Sequence, residues 1–235
     1  MNPKGNVWGF FGTRNTGKTY EALQLSLDFR VGAFKNNPKR IIVFDHSNNS
    51  SYKEITKIVT FEDLERPMPK NAVVKLQSDD YDKFSYYCSN YVKNAVVIYD
   101  DAGSFFGSGA MTKAQKQLLK TPKNNGLELL LQFHYFGGTE VSPDLLKMMN
   151  MLVLKETSDD FNDLPTKVQP RKEIAYLMYD IAVQNTELPE NKKWTTRYFD
   201  KEEYRVGVRN TEQVEWIDGK KYFPFAQQKL EFNPK

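Results

Sequence analysis

Apolar residues in this chain gather into short, nearly unbroken runs, and the segments between the runs are two-faced. Runs of this kind stand at residues 7–11, 40–45, 72–76, 94–101, 127–133 and 151–155. A strand buried on both faces of a parallel sheet has this continuous character, whereas a half-exposed strand alternates. Residues 20–29 follow a helical period instead. Leu23 and Leu27 lie four apart, and Ala22, Leu25 and Phe29 share the adjoining face. Ser78-Asp79-Asp80 supplies a cap for a helix from Tyr81 to about Val92. Residues 111–120 form another two-faced helix, and Pro143 opens a short one through Lys147. Tyr52 to Ile55 reads as a short helix, and Thr60 as a weak helix start.

Alternating strands and helices predict an α/β fold, a mainly parallel sheet with helices on both faces. The pattern changes after Glu156. Residues 158–168 are polar and turn-like, residues 171–183 read helical, and residues 214–223 suggest a hairpin about Asp218-Gly219. The expectation is a core over residues 1–157 and a small α+β C-terminal appendage over residues 158–235, packed on the core and available as a subunit contact.

Chemistry enters at Gly12-Thr13-Arg14-Asn15-Thr16-Gly17-Lys18-Thr19, which fits G-x-x-x-x-G-K-[ST], the Walker A phosphate-binding loop. Glycines at both ends let the backbone turn and approach phosphate oxygens closely. Loop N–H groups converge on an anion, and the following helix N-terminus adds its partial positive charge. Lys18 supplies a point charge for the β- and γ-phosphates, and Thr19 a hydroxyl for Mg²⁺. The motif sits between a strand-like run and a helical segment, the context it requires. Nucleotide contacts are expected from Gly12, Thr13, Arg14, Asn15, Thr16, Gly17, Lys18, Thr19 and Tyr20, with ATP and Mg²⁺ as the bound species.

The run at residues 94–101 ends in Asp100-Asp101, the Walker B pattern of carboxylates delivered to the mouth of a sheet. Asp100 is expected to hold Mg²⁺ with Thr19. Asp101 stands where many P-loop ATPases place the glutamate that polarises the attacking water, one methylene shorter than that glutamate. Gln132, at the tip of the next run, is placed to sense the γ-phosphate, and His134 follows two residues on. His46, at another strand end, reads either as a residue facing the nucleotide or as a loop histidine with a local hydrogen bond. The glycine-rich segment at residues 102–109 reads as a partner-contacting loop, a hinge or simple packing.

Composition narrows the picture. A net charge of +3 is too small to imply nucleic acid by itself, so any basic footprint must be local. The best local candidate is Lys113, Lys116 and Lys120 opposite Met111, Ala114 and Leu118, with Lys123 following and no acid between Thr112 and Gly126. The same lysines read equally as a solvated helix face. The single Cys88 excludes an internal disulfide, and one cysteine with two histidines argues against a structural zinc site. The first residues lack a leader's apolar segment and no window approaches the ~20 apolar residues of a membrane helix, so a soluble protein is expected.

The series of Walker A, Asp100-Asp101-Ala102, a strand ending in Gln132, then Val141-Ser142-Pro143-Asp144-Leu145-Leu146 and Met149-Asn150-Met151-Leu152-Val153-Leu154 resembles the FtsK–HerA superfamily of DNA-pumping ATPases. That superfamily includes the small genome-packaging ATPases of membrane-containing icosahedral viruses and the zonula occludens toxin-like proteins of filamentous phages. The latter usually carry a membrane span, which favours the packaging enzymes here. The resemblance covers roughly residues 5–156. It implies a P-loop NTPase of the RecA and FtsK–HerA type, ATP hydrolysis that moves viral DNA into a capsid, and a homo-oligomeric ring, usually a hexamer. DNA would pass through the centre, held by sequence-independent backbone contacts. Capsid or portal-vertex proteins would be partners, and the host cytoplasm and the virion the location. It also implies an arginine supplied in trans. This chain has Lys120 and Lys123 where relatives carry that basic residue, and lysine lacks arginine's bidentate fork. Arg171, Arg197, Arg205 and Arg209 are the other candidates. A small-molecule or regulatory NTPase is the alternative. Asp100-Asp101-Ala102-Gly103 also fits the D-x-x-G of GTPases, but no N/T-K-x-D guanine motif occurs.

Overall fold

The computed structural model describes residues 5–30, 36–107, 109–137, 139–162, 164–210 and 213–227. The chain's first four residues, Ser108 of the glycine-rich segment, Asp163 of the polar segment and the last residues of the tail lie outside the described residues.

Six parallel strands form the core: β1 (Asn6–Phe11), β2 (Arg40–Phe44), β3 (Val73–Leu76), β4 (Ala95–Tyr99), β5 (Leu127–Phe133) and β6 (Met151–Leu154). Their helices are α1 (Lys18–Asp28), α2 (Phe61–Glu65), α3 (Tyr81–Tyr91), α4 (Gly103–Phe106), α5 (Lys113–Lys120), α6 (Pro122–Asn125) and α7 (Pro143–Met148). After β6 come α8 (Arg171–Thr186), β7 (Arg197–Asp200), β8 (Arg205–Arg209), β9 (Val214–Asp218), α9 (Gly219–Tyr222) and α10 (Pro224–Gln227). One nine-stranded sheet results, in the order β3-β2-β4-β5-β1-β6-β7-β8-β9. The last three strands add antiparallel to the β6 edge, so residues beyond 157 continue the sheet of the core.

Helices do cover both faces, unequally. Ile42, Phe44, Val97, Tyr99, Leu129 and Leu131 face the layer containing Phe84, Leu118, Leu145, Ile174 and Leu177. Alternate residues Ile41, Val43, Val96, Ile98 and Leu130 face Ala22 and Leu25 of α1 and Phe29 at its C-cap, with Tyr52. The side-chain period of two in each strand divides every apolar run between two cores. Cys88 lies fully buried in the larger one, and burial pushes its thiol far above the usual range.

Caps follow local chemistry. Asp80 accepts from the Lys83 backbone N–H at the start of α3. Thr112 and Gln115 form a reciprocal capping box at α5. Thr60 and Asp63 do the same at α2, a stronger start than Thr60 alone suggests.

Three local expectations change. The short helix expected over Tyr52 to Ile55 is absent, and a single 3₁₀ turn spans Ser50–Tyr52 instead. The glycine-rich segment contains α4. The Asp218-Gly219 hairpin is absent: β9 pairs with the preceding β8, Val206 opposite Ile217, and the Asp218 carboxylate caps α9 by accepting from the Lys220 N–H at 2.8 Å. Fully buried Phe223 anchors that helix. Tertiary burial therefore outweighs the local turn signal.

Polar residues tie the sheet extension to the core. Glu21 of α1 is buried and accepts from Arg209 and from the Tyr198 hydroxyl, with Lys155 Nζ at 3.9 Å. Arg209 also reaches Asp28 two turns further along α1, at 2.9 Å. At the opposite end of the sheet, Lys39 and Glu128 form a fully buried ion pair at 2.9 Å. Asn6 and Trp8 Nε1 complete the Glu128 carboxylate at 3.0 and 2.8 Å.

Candidate active site

The carboxyl ends of β1, β2, β4 and β5 meet at one mouth. Phe11 is in register with Phe133 and Phe44 with Tyr99, so the segments leaving these strands start side by side. Residues 12–17 leave β1, cross this mouth and enter α1. Gly17 caps α1 at φ 79°, in the left-handed region where a glycine carries no Cβ penalty. At Gly12 a Cβ would lie 2.8 Å from Thr16 Oγ1 and 2.9 Å from Lys155 Cβ, closer than packing allows. Both glycines of the motif thus have a steric reason. The loop is pinned from outside, with Gly12 N–H donating to Phe133 O and Thr13 N–H to Glu156 O.

A cleft of about 510 Å³ opens over the loop. Thr13, Arg14, Asn15, Gly17, Lys18, Thr19 and Tyr20 line it, together with Asp100, Asp101, Gln132 and His134. Gly12 and Thr16 sit beneath it, buried. The Walker A and Walker B residues and Gln132 therefore converge, although 113 positions separate Thr19 from Gln132.

Their contacts form one chain. The Thr19 hydroxyl donates to Gln132 Oε1 at 3.3 Å, Gln132 Nε2 donates to the Tyr52 hydroxyl at 3.1 Å, and that hydroxyl donates to Asp100 Oδ1 at 3.3 Å. Asn49 Nδ2 donates to the other Asp100 oxygen at 2.9 Å. Burial raises the Asp100 carboxyl above its ordinary range, Asn49 and Tyr52 oppose the rise, and the negative charges of Asp45 and Asp101 add to it. Lys18 Nζ donates to the carbonyl oxygens of Gly12 and Thr13 and lies 3.4 Å from His134 Nδ1. Loss of water pushes its ammonium down to about 8, against the pull of Glu140, Asp100 and Asp101.

Asp101 occupies the left-handed region at φ 52°, which aspartate tolerates better than most residues. The Ser104 hydroxyl donates to it at 2.7 Å, and His134 Nε2 lies 3.9 Å away. Glu140 braces the far wall by accepting from the His134 and Tyr135 backbone N–H groups at 2.8 and 2.7 Å. Asn49, Tyr52 and Glu140 carry no sequence signal of their own. His134 has one, its place just past the strand that ends at Gln132. His46 instead packs edge-on against Phe105 at 4.7 Å.

The donor set fits Mg²⁺. A hydroxyl and a buried carboxylate face one cleft, and Asp100 is crowded by like charge that a hard cation would relieve.

The lysines stand elsewhere. Lys113, Lys116 and Lys120 are exposed on α5, and Lys123 on α6 pairs with Glu202 at 3.2 Å. None of the four lines the cleft. Among the arginines, Arg197 is buried and donates to Asp180 at 2.6 Å, Arg205 pairs with Asp200 at 2.9 Å, and Arg209 is held by Glu21 and Asp28. Arg171 is the first residue of α8.

A glycine loop between strand β1 and helix α1, facing strand-end carboxylates in a parallel sheet, defines a P-loop NTPase fold. No family model matches the chain, and no curated protein matches it in sequence. Solved structures do match in fold. The genome packaging NTPase B204 from Sulfolobus turreted icosahedral virus 2 in complex with ATP-gammaS is 18% identical at a TM-score of 0.58, over 92% of this chain and 97% of that one. The same enzyme in complex with AMP gives 18% and 0.59, over 89% and 99%. B204 described as the DNA-packaging ATPase from Sulfolobus turreted icosahedral virus gives 16% and 0.56, over 92% and 98%. The likeness thus includes the sheet extension as well as the core. Among the described residues no helix is long and apolar enough to cross a membrane.

Proposed function

We propose that this protein is an Mg²⁺-dependent ATPase that drives DNA translocation in viral genome packaging. The observation that carries the reading is the convergence of Lys18, Thr19, Asp100, Asp101 and Gln132 on one cleft. Its setting is a chain that shares its fold, over nine-tenths of its length, with packaging NTPases.

In this reading Lys18 gives up its contacts with the loop carbonyls and places its charge against the β- and γ-phosphates. Loop N–H groups and the α1 N-terminus hold the remaining phosphate charge. Thr19 and Asp100 would hold Mg²⁺, which when bound neutralises charge on the β- and γ-oxygens. Asp101, fixed by Ser104 and facing His134, accepts the proton of the attacking water. Gln132 orients that water and links the γ-phosphate to Thr19 and, through Tyr52, to Asp100. Catalysis on this scheme is positioning and electrostatic stabilisation.

The reading extends to a homo-oligomeric ring, a hexamer, with DNA through its centre and capsid or portal-vertex proteins as partners. The α5 lysines would grip backbone phosphates without reading sequence. Residues 158–235 would serve as a subunit contact, which the exposed Trp216 and Ile217 on β9 support. Arg197 and Arg209 are committed within their own chain, which leaves Lys120, Lys123, Arg171 and Arg205 as candidates for the cation offered in trans.

Turnover of ATP with and without DNA tests the proposal, with Lys18→Ala as the control. DNA-stimulated turnover that Lys18→Ala abolishes is expected. Turnover only on a small acceptor, or near-normal activity in Lys18→Ala, refutes it.

A further inference from the structure

A second cavity, about 850 Å³, continues from the phosphate cleft around the start of α1. The two share Asn15, Gly17 and Tyr20. The second differs in chemistry. Tyr20 and Trp194 are its aromatic side chains and are 62% and 56% exposed. Trp194 stands against the loop itself, its Cγ and Cδ1 each 3.9 Å from where a Cβ on Gly17 would be. Lys155 Nζ donates to the Trp194 carbonyl at 3.1 Å and to Thr196 at 2.7 Å, which fixes the backbone beneath the indole.

The cavity also contains Lys155, Arg197 and Arg209, yet all three are already paired. Lys155 faces Glu21, Arg197 is bound to Asp180, and Arg209 to Glu21 and Asp28. Their charge is spent on the fold, so the cavity suits a flat, uncharged ring better than another phosphate. Its volume is in the range that small-molecule sites occupy.

We infer that this cavity is the base site of the nucleotide, with the purine ring stacked on the Trp194 indole and flanked by Tyr20. The inference rests on the reading of the adjoining cleft as the phosphate site. A ligand with phosphates over Lys18 and ribose passing Gly17 carries its base into this cavity. Trp194 then reads the face of the base, and purines bind more tightly than pyrimidines because they offer the larger surface.

The test compares ATP with tripolyphosphate, each with Mg²⁺, by calorimetry on the full chain. Trp194→Ala should weaken ATP binding by about tenfold or more and leave tripolyphosphate affinity unchanged, since base–aromatic stacking of this kind is sequence-tolerant and substantial. Trp194→Phe should recover most of the loss, and Tyr20→Ala should show a smaller loss of the same kind. Unchanged ATP affinity in Trp194→Ala overturns the proposal. Equal weakening of both ligands also overturns it, because Trp194 would then merely support Gly17. Failure of the unaltered protein to bind tripolyphosphate removes the phosphate-site reading and this inference with it.

Discussion

Raising the pH from 7 to 9 should weaken ATP binding about tenfold through Lys18 alone. The ammonium is stripped of water between the loop and the strand ends, and its pKa falls from 10.5 to about 8. The charged form is the one that binds phosphate, so binding competence is present below that pKa and lost above it. About nine-tenths of the side chains are charged at pH 7 and about one-tenth at pH 9, and the apparent Kd scales inversely with the competent fraction. A fully solvated lysine would keep nearly all its charge at pH 9, and the profile would stay flat. Lys155 is also pushed down to about 8 by burial and faces the same loop from beneath, so a control is needed. Lys18→Arg supplies it, because a guanidinium stays charged throughout while Lys155 and the nucleotide titrate as before. The assay is equilibrium ATP binding at half-unit pH steps, read as the ratio of the two proteins' Kd values. A tenfold change in that ratio is expected. A flat ratio, or an equal decline in Lys18→Arg, refutes the assignment of the titration to Lys18.

Three other outcomes follow from named contacts. Gln132→Ala removes the link between Thr19 and Tyr52; steady-state turnover should fall on the order of a hundredfold while ATP affinity stays within about threefold, as for loss of a positioned donor. Lys39→Met strands the Glu128 carboxylate in the core, which should cost about 3–5 kcal/mol and lower the melting temperature by about 6–20 °C at neutral pH. Burial already raises the Glu128 pKa, and without Lys39 it rises further, so this loss should shrink as pH falls through the folded-state pKa; Lys39→Met with Glu128→Gln should melt closer to the unaltered protein than the single variant. Replacing Lys113, Lys116 and Lys120 together by alanine should reduce the slope of log affinity for DNA against log salt by about 2–3, measured by titration at several salt concentrations.

The motifs were legible because their geometry is local. Gly12, Gly17, Lys18 and Thr19 lie within eight positions, and a strand before and a helix after suffice to orient them. Asp100 and Gln132 were readable as strand tips, since parallel strands deliver their carboxyl ends to one mouth. Asn49 and Tyr52 were not, because they reach Asp100 across about fifty positions through a loop whose path no periodicity records. Glu128 illustrates a second limit. It interrupts an apolar run, and its pairing with Lys39, 89 residues away, makes it a core residue rather than a surface one. The Asp218-Gly219 turn failed for the opposite reason: a strong local signal lost to the burial of Phe223 and to the pairing of β9 with β8.

Cys88 has a practical consequence. It is the chain's one cysteine, it lies inside the larger core, and its thiol ionises far less readily than usual. Thiol reagents attack the thiolate, so the folded protein presents a silent background to them. A cysteine introduced at an exposed position such as Lys116 would then be the single fast-reacting group. A fluorophore or crosslinker placed there would report on neighbouring copies or on bound nucleic acid without any need to remove the native thiol.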